Sequence, residues 1–221
     1  MSDSHSPRTL GAVFYAGFEI LDVYGPLEMF GNVGPELRIV TVAQKTGPVA
    51  STQGPKTLAQ YGFDDCPALD LILLPGGVGT FAELQNPAML EFLRQRSAAA
   101  QVTMSVCSGS AILAKAGLLD GRRATSNKQF FSLATTQSEK VKWVEQARWV
   151  EDGNMVTSSG VSAGIDMALA VIARLYGQDR AEQIAARTEY EWHQDAAWDP
   201  FVKYLNQGDP NQLPPRPAAE R

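Results

Sequence analysis

One thiol occupies the most chemically suggestive place in the chain. Cys107 follows the strand-like run 101–106 and precedes Ser108-Gly109-Ser110, small residues that lead directly into a helical stretch at 111–116. A strand, a tight turn and a helix in that order form a nucleophile elbow, which presents the turn residue at the rim of a sheet. Backbone amides at a helix start stabilise negative charge, so the thiol is expected to ionise more readily than a free cysteine. A buried structural cysteine is the competing reading, and the polar Ser-Gly-Ser does not suit it. Gly76 and Gly77, after Leu74-Pro75, let backbone approach whatever sits on the sulfur. Their amides, with that of Ser108, are candidates for an oxyanion hole, and a plain tight turn is the alternative. Asp22 is a carboxylate inside Ile20-Leu21-Asp22-Val23-Tyr24, where an unpaired charge is costly. It either faces the crevice as an acid–base group or caps a helix.

The second thiol, Cys66, precedes the run 71–74, so it belongs at the opposite end of the strands from Cys107. The two sulfurs are then about 15 Å apart, a strand length, which forbids a disulfide. A Cys–His–acid hydrolase needs a histidine beside its thiol. The chain has two histidines: His5 near the N-terminus, and His193 in Tyr190-Glu191-Trp192-His193, read as a surface residue unless the C-terminal segment folds back or a partner subunit supplies it. Peptidase chemistry is therefore disfavoured. No His, Cys or carboxylate pair has ligand spacing, so no metal is expected.

Positioning these groups requires a sheet. The runs 9–15, 37–43, 71–74 and 101–106 are short and β-branched or aliphatic, several apolar on both faces, as strands covered by helices on each side must be. Helical stretches lie between them, with Asn86-Pro87 as N-cap and first helical residue and Gly117 as a stop. The alternation predicts an α/β fold with a mostly parallel sheet, and ligands collect at the carboxyl ends of such strands. The segments after the first, third and fourth strands, carrying Asp22, Gly76-Gly77 and Cys107, then converge on one crevice. Segments 148–150 and 155–157, around Asp152-Gly153, predict an antiparallel hairpin at the sheet edge. A helix over 162–176, apolar nearly all round, is expected to be buried, with Gly177 ending it.

The 221 residues are 44% hydrophobic and 19% charged, the balance of a globular domain rather than a disordered chain. A net charge of −5 without a basic cluster argues against nucleic acid as a partner. The longest purely apolar run, 167–173, is far shorter than the roughly 20 residues of a membrane span. The start lacks a secretory signal, and two cysteines make no disulfide framework, so a cytoplasmic location is expected. Residues 1–8 and the Pro-rich 207–221 read as tails around one domain at 9–206.

Together these segments resemble the ThiJ/PfpI superfamily, and within it the isocyanide hydratases and the ligand-binding domains of AraC-type regulators. The resemblance rests on residues 17–26 (GFEILDVYGP), Leu74-Pro75-Gly76-Gly77, Val106-Cys107-Ser108-Gly109-Ser110, 116–121 (AGLLDG) and 160–166 (GVSAGID). It implies a flavodoxin-like three-layer sandwich, a homodimer, Cys107 as nucleophile, Asp22 as its acidic partner, a small-molecule substrate and no cofactor. Superfamily members acting as peptidases or deglycase-like enzymes carry His after the cysteine or Glu at the acidic position; here these are Ser108 and Asp22. Asp at that position fits the isocyanide hydratases, which convert isocyanides to N-substituted formamides. Asn127 stands where many relatives have His, and it joins Gly76, Gly77 and Ser108 as a candidate substrate-binding residue. Two alternatives accompany the hydratase reading: glyoxalase-like hydration of small dicarbonyls, and a small-molecule sensor. The sensor is disfavoured because no helix-turn-helix follows residue 190. The segment 189–201 matches no family motif and is a candidate cover for the site.

Overall fold

The computed structural model describes residues 6–209. In chain order the elements are β1 (Arg8–Val13), α1 (Ile20–Gly31), β2 (Leu37–Val42), β3 (Gly47–Ala50), β4 (Lys56–Ala59), β5 (Leu71–Leu74), α2 (Thr80–Glu83), α3 (Pro87–Ala99) and β6 (Val102–Ser105). They continue as α4 (Gly109–Lys115), β7 (Arg123–Ala124), α5 (Phe131–Thr135), β8 (Lys142–Trp143), β9 (Trp149–Asp152), β10 (Met155–Ser158), α6 (Ala163–Tyr176) and α7 (Gln178–Arg187), with a 3-10 helix at Pro200–Tyr204.

Among the described residues the main sheet runs β2-β1-β5-β6-β10-β9, parallel except for the edge strand β9. Every residue of β5, β6 and β10 is buried, which explains why β5 reads as an unbroken apolar run rather than an alternating one. The chain steps from β1 outward to β2 but from β5 in the opposite direction to β6. Right-handed crossovers therefore place α1 on one face and α3 on the other. Consistent with this, α1, α6 and α7 pack together, while α4 packs with α2, α3 and α5. The result is the expected flavodoxin-like sandwich. Its strand order reverses between β1 and β5, so the crevice outside their carboxyl ends is the natural ligand site. Register brings the relevant turns level, with Ala12 paired to Leu73 and Leu74 to Ser105.

The expected local signals hold with boundaries moved by one or two residues. Asn86 Oδ1 accepts from the amides of Ala88 (3.1 Å) and Met89 (3.4 Å), with Pro87 opening α3. Gly177, at φ 96°, ends α6. The β3–β4 hairpin and α7 were not expected: β3 is four half-exposed residues including Pro48, and α7 is amphipathic but mostly polar. β1 opens at Arg8, inside the expected tail, and Gly208 at the other end donates to Gln129 O (3.0 Å). His5 and the Pro-rich run beyond Asp209 lie outside the described residues. Among those described, no helix is long and apolar enough to cross a membrane.

After α7 the chain returns across the molecule and is tied down by a buried charge. Arg148 Nε and Nη2 both lie 2.6 Å from Asp166 Oδ2, with Asp166 fully buried in the first turn of α6. Asp166 Oδ1 accepts from Tyr190 Oη and the His193 amide, each at 3.0 Å, and its carbonyl accepts from Trp192 Nε1. Removing one partner of a buried ion pair strands the other charge, at a cost of about 3–5 kcal/mol. Arg148→Met is therefore expected to lower the unfolding free energy by about that amount in urea titrations. A loss under about 1 kcal/mol would show that the pair does not hold the C-terminal segment.

Candidate active site

The site is assembled from three turns at the carboxyl ends of β1, β5 and β6. Cys107 is 8% exposed and has φ 56°, a left-handed backbone that a residue with a side chain adopts only when its surroundings enforce it. The enforcement is visible: the Cys107 amide donates to Ser159 O (3.1 Å), and its carbonyl accepts from Ser110 Oγ and Ser126 Oγ, each at 3.2 Å. Sγ accepts from Asn127 Nδ2 at 3.1 Å, and the Ser108 amide also bonds to it.

Asp22 lies in the first turn of α1 and is 0% exposed. It does not cap the helix; Oδ2 accepts from the Gly76 amide (2.8 Å), while the Glu19 amide donates back to Gly76 O (2.8 Å). This reciprocal pair couples the start of α1 to the turn after β5. A side chain at position 76 would put its Cβ 2.5 Å from Ser108 Oγ and 2.6 Å from Ser108 N, so only glycine permits the approach. Gly77, at φ 126°, likewise lies against the Gly17–Glu19 backbone. Asp22 Oδ1 is buried with no hydrogen-bond partner, and the carboxyl is near enough to the Cys107 thiol for each to influence the other's ionisation.

Burial pushes the Asp22 carboxyl from 3.8 up to about 8, against the opposing pull of the Gly76 amide. Asp22 therefore holds a proton at neutral pH. Burial also pushes the Cys107 thiol up, and Asp22 pushes it further; the Ser108 amide and Asn127 pull the other way and do not offset this. The expected easy ionisation of the thiol is thus corrected. Desolvation outweighs a helix start of only seven residues, α4.

The amides expected to form an oxyanion hole all have partners within the protein. The Gly76 amide is taken by Asp22, the Gly77 amide donates to Ser108 Oγ (3.2 Å), and the Ser108 amide bonds to Cys107. Ser108 Oγ in turn meets Thr80 Oγ1 at 2.9 Å, and Tyr15 Oη bonds Thr80 Oγ1 (3.1 Å) and Pro75 O (2.8 Å). This buried hydroxyl chain beneath the turn joins residues far apart in sequence, which no local pattern displays.

The thiol opens into a cavity of about 220 Å³. Val78, Phe81, Phe130, Leu133 and Val161 give it apolar walls, and Glu19, Thr52, Gln53, Asn127 and Gln129 a polar side. Glu19 and Gln53, hydrogen-bonded to each other, come from the N-cap of α1 and the β3–β4 turn, and the latter has no signal in the sequence because its hairpin has none. His193 is not among the lining residues; its amide and ring are engaged by Asp166 and Trp198 O. Cys66 and Cys107 are both unbridged thiols.

Comparison with known proteins agrees with this geometry. Residues 10–174 match the model of the DJ-1/PfpI family. The chain is 35% identical over 182 residues to an isonitrile hydratase of Pseudomonas putida, covering 82% of this chain and 78% of that one. It is 29% identical over 194 residues to an HTH-type transcriptional regulator of Pseudomonas aeruginosa, covering 85% of this chain but only 52% of the regulator. The crystal structure of a ThiJ/PfpI family protein from Pseudomonas syringae superposes with a TM-score of 0.76 at 36% identity, covering 84% of this chain and 76% of the other. Drosophila melanogaster DJ-1beta, at 19% identity and a TM-score of 0.74 over 84% of this chain and 100% of its own, shares the fold. The chain belongs to the DJ-1/PfpI family.

Proposed function

We propose that the protein is a cofactor-independent hydratase that converts isocyanides to N-substituted formamides, with Cys107 as nucleophile and Asp22 as proton carrier. The observation that carries this reading is a buried thiol near a fully buried, unpaired carboxyl that burial pushes up to about 8, while the neighbouring amides are already engaged. Acyl transfer needs donors aimed at a developing oxyanion. An isocyanide's terminal carbon bears no oxygen and needs a proton instead. Similarity to the isonitrile hydratase supports the same reading.

In the first step the S–H adds across the terminal carbon. A C–S and a C–H bond form there, one C–N π bond is consumed, and a thioimidate results. Asp22 carries the proton from sulfur to carbon. Water then adds to that carbon, the C–S bond breaks, the nitrogen gains a proton and the sulfur regains its own, leaving the formamide. The apolar walls hold the isocyanide's substituent, and Asn127 orients the adduct. The similarity to a transcriptional regulator favours a second reading, a binding domain using the same cavity without turnover.

We also infer a homodimer, as large apolar side chains are exposed on α1 and the β3–β4 hairpin. Leu21 (40% exposed), Tyr24 (43%) and Leu58 (66%) lie on α1 and the β3–β4 hairpin, which Tyr24 Oη joins to Thr57 Oγ1 at 2.6 Å. Val23 and Phe30 of the same helix are core residues. Light scattering is expected to give twice 23.9 kDa at micromolar concentration, and a monomer mass would contradict the dimer.

Purified protein is expected to hydrate an aromatic isocyanide, and methylglyoxal poorly. Cys107→Ala abolishes this and Cys66→Ser leaves it nearly intact. Binding without covalent adduct or turnover would favour the sensor instead.

Asp22→Asn keeps size and shape but cannot carry the proton, so turnover is expected to fall about a hundredfold or more. The same variant has a stability signature. The folded wild type binds the Asp22 proton between pH 3.8 and about 8, where the unfolded chain does not, so stability falls as pH rises through that window. Asp22→Asn lacks this loss. Its stability relative to wild type should improve from pH 4 to pH 8 and then level off; a constant difference would contradict the buried proton.

A further inference from the structure

The residue after Asn127 is a lysine that does not belong in an ordinary loop. Lys128 is 2% exposed, its Nζ donating to Ala147 O (2.7 Å) and Thr125 Oγ1 (2.9 Å) and lying 3.9 Å from Asp199 Oδ2. Burial pulls its ammonium down to about 8, opposed by Asp199. Burying a charge costs stability unless a partner is supplied, and the partner comes from the C-terminal strap at 198–208. Asp199 is itself fully buried, with Oδ2 lacking a hydrogen bond and Oδ1 3.7 Å from Arg148 Nη1.

The strap then runs along the loop that carries Asn127. The Asn206 amide donates to Lys128 O (2.9 Å), the Gly208 amide to Gln129 O (3.0 Å), and Asn206 Oδ1 accepts from the Ser132 amide (2.7 Å). These three bonds tie down residues 128–132, directly after Asn127, whose Oδ1 accepts from the Phe130 amide while Nδ2 donates to Cys107 Sγ. On the far side, Gly160 lies so close that a Cβ there would sit 2.6 Å from Asn127 Nδ2. The strap lies beyond residues 10–174 that match the family model.

We propose that the strap is part of the thiol's machinery: Lys128 and Asn206 are positioning residues that hold the Asn127 amide on Cys107 Sγ and so favour the thiolate. The proposal rests on the reading of Cys107 as the reactive group. Its test needs no substrate, so its failure and that of the hydratase reading are separable.

The experiment is the rate of Cys107 alkylation by iodoacetamide across pH, in a Cys66→Ser background. The groups facing Sγ that set the profile are Asp22, Glu19, the Ser108 amide and the Asn127 amide. Asn206→Ala, an exposed position, and Lys128→Met are each expected to move the alkylation profile to higher pH and to slow the reaction about tenfold at pH 7. Asn127→Ala should do the same, and combining it with either variant should add nothing further. Lys203→Ala, on the strap but off the loop, should match wild type. If Lys128→Met does not fold, Asn206→Ala alone decides. A strap that merely shields the site would give faster alkylation with an unmoved profile. That result, or additive effects with Asn127→Ala, would overturn the proposal.

Discussion

The hydrogen bond from the Gly76 amide to Asp22 Oδ2 is the constraint on which the rest of the site depends. It holds a carboxyl in a place that water does not reach, so the group is affordable there only as the neutral acid. The bond requires backbone, not a side chain, at position 76, and it requires the turn after β5 to press against the start of α1. Both conditions follow from β1 and β5 being adjacent parallel strands whose ends are level. The fold and the protonation state are thus linked: the strand order that opens the crevice also buries the acid within it.

Cys107 answers to the same constraint from the other side. Its left-handed backbone is held by Ser159, Ser110 and Ser126, and its sulfur meets Asn127 at the wall of the cavity. A neutral acid beside a neutral thiol is a poor arrangement for hydrolysing an amide and a suitable one for adding S–H across an electrophilic carbon. Around the pair, the hydroxyl chain of Tyr15, Thr80 and Ser108 stiffens the turn, and the apolar walls leave room for a small substituent.

Much of this was legible in the sequence because it is local. Leu71–Leu74 and Val102–Ser105 read as strands since both faces are buried, and Cys107, Asp22, Gly76 and Gly77 stood out as residue types their surroundings did not need. What escaped was non-local or quantitative. Arg148, Asp166 and Asp199 meet across distant segments, and none is unusual where it stands in the chain. The destination of the Gly76 amide could not be known without the partner 54 residues away. A helix start is visible in sequence, whereas the desolvation that raises the thiol is not.

Infrared difference spectroscopy tests directly whether Asp22 is a neutral acid in the resting protein. The carbonyl stretch of a protonated carboxyl, assigned by its absence in Asp22→Asn, should be present at pH 7 and disappear with a midpoint near 8. A band already lost by pH 5, with a midpoint near the ordinary carboxylate value, would show that Asp22 is ionised at neutral pH and would contradict the account.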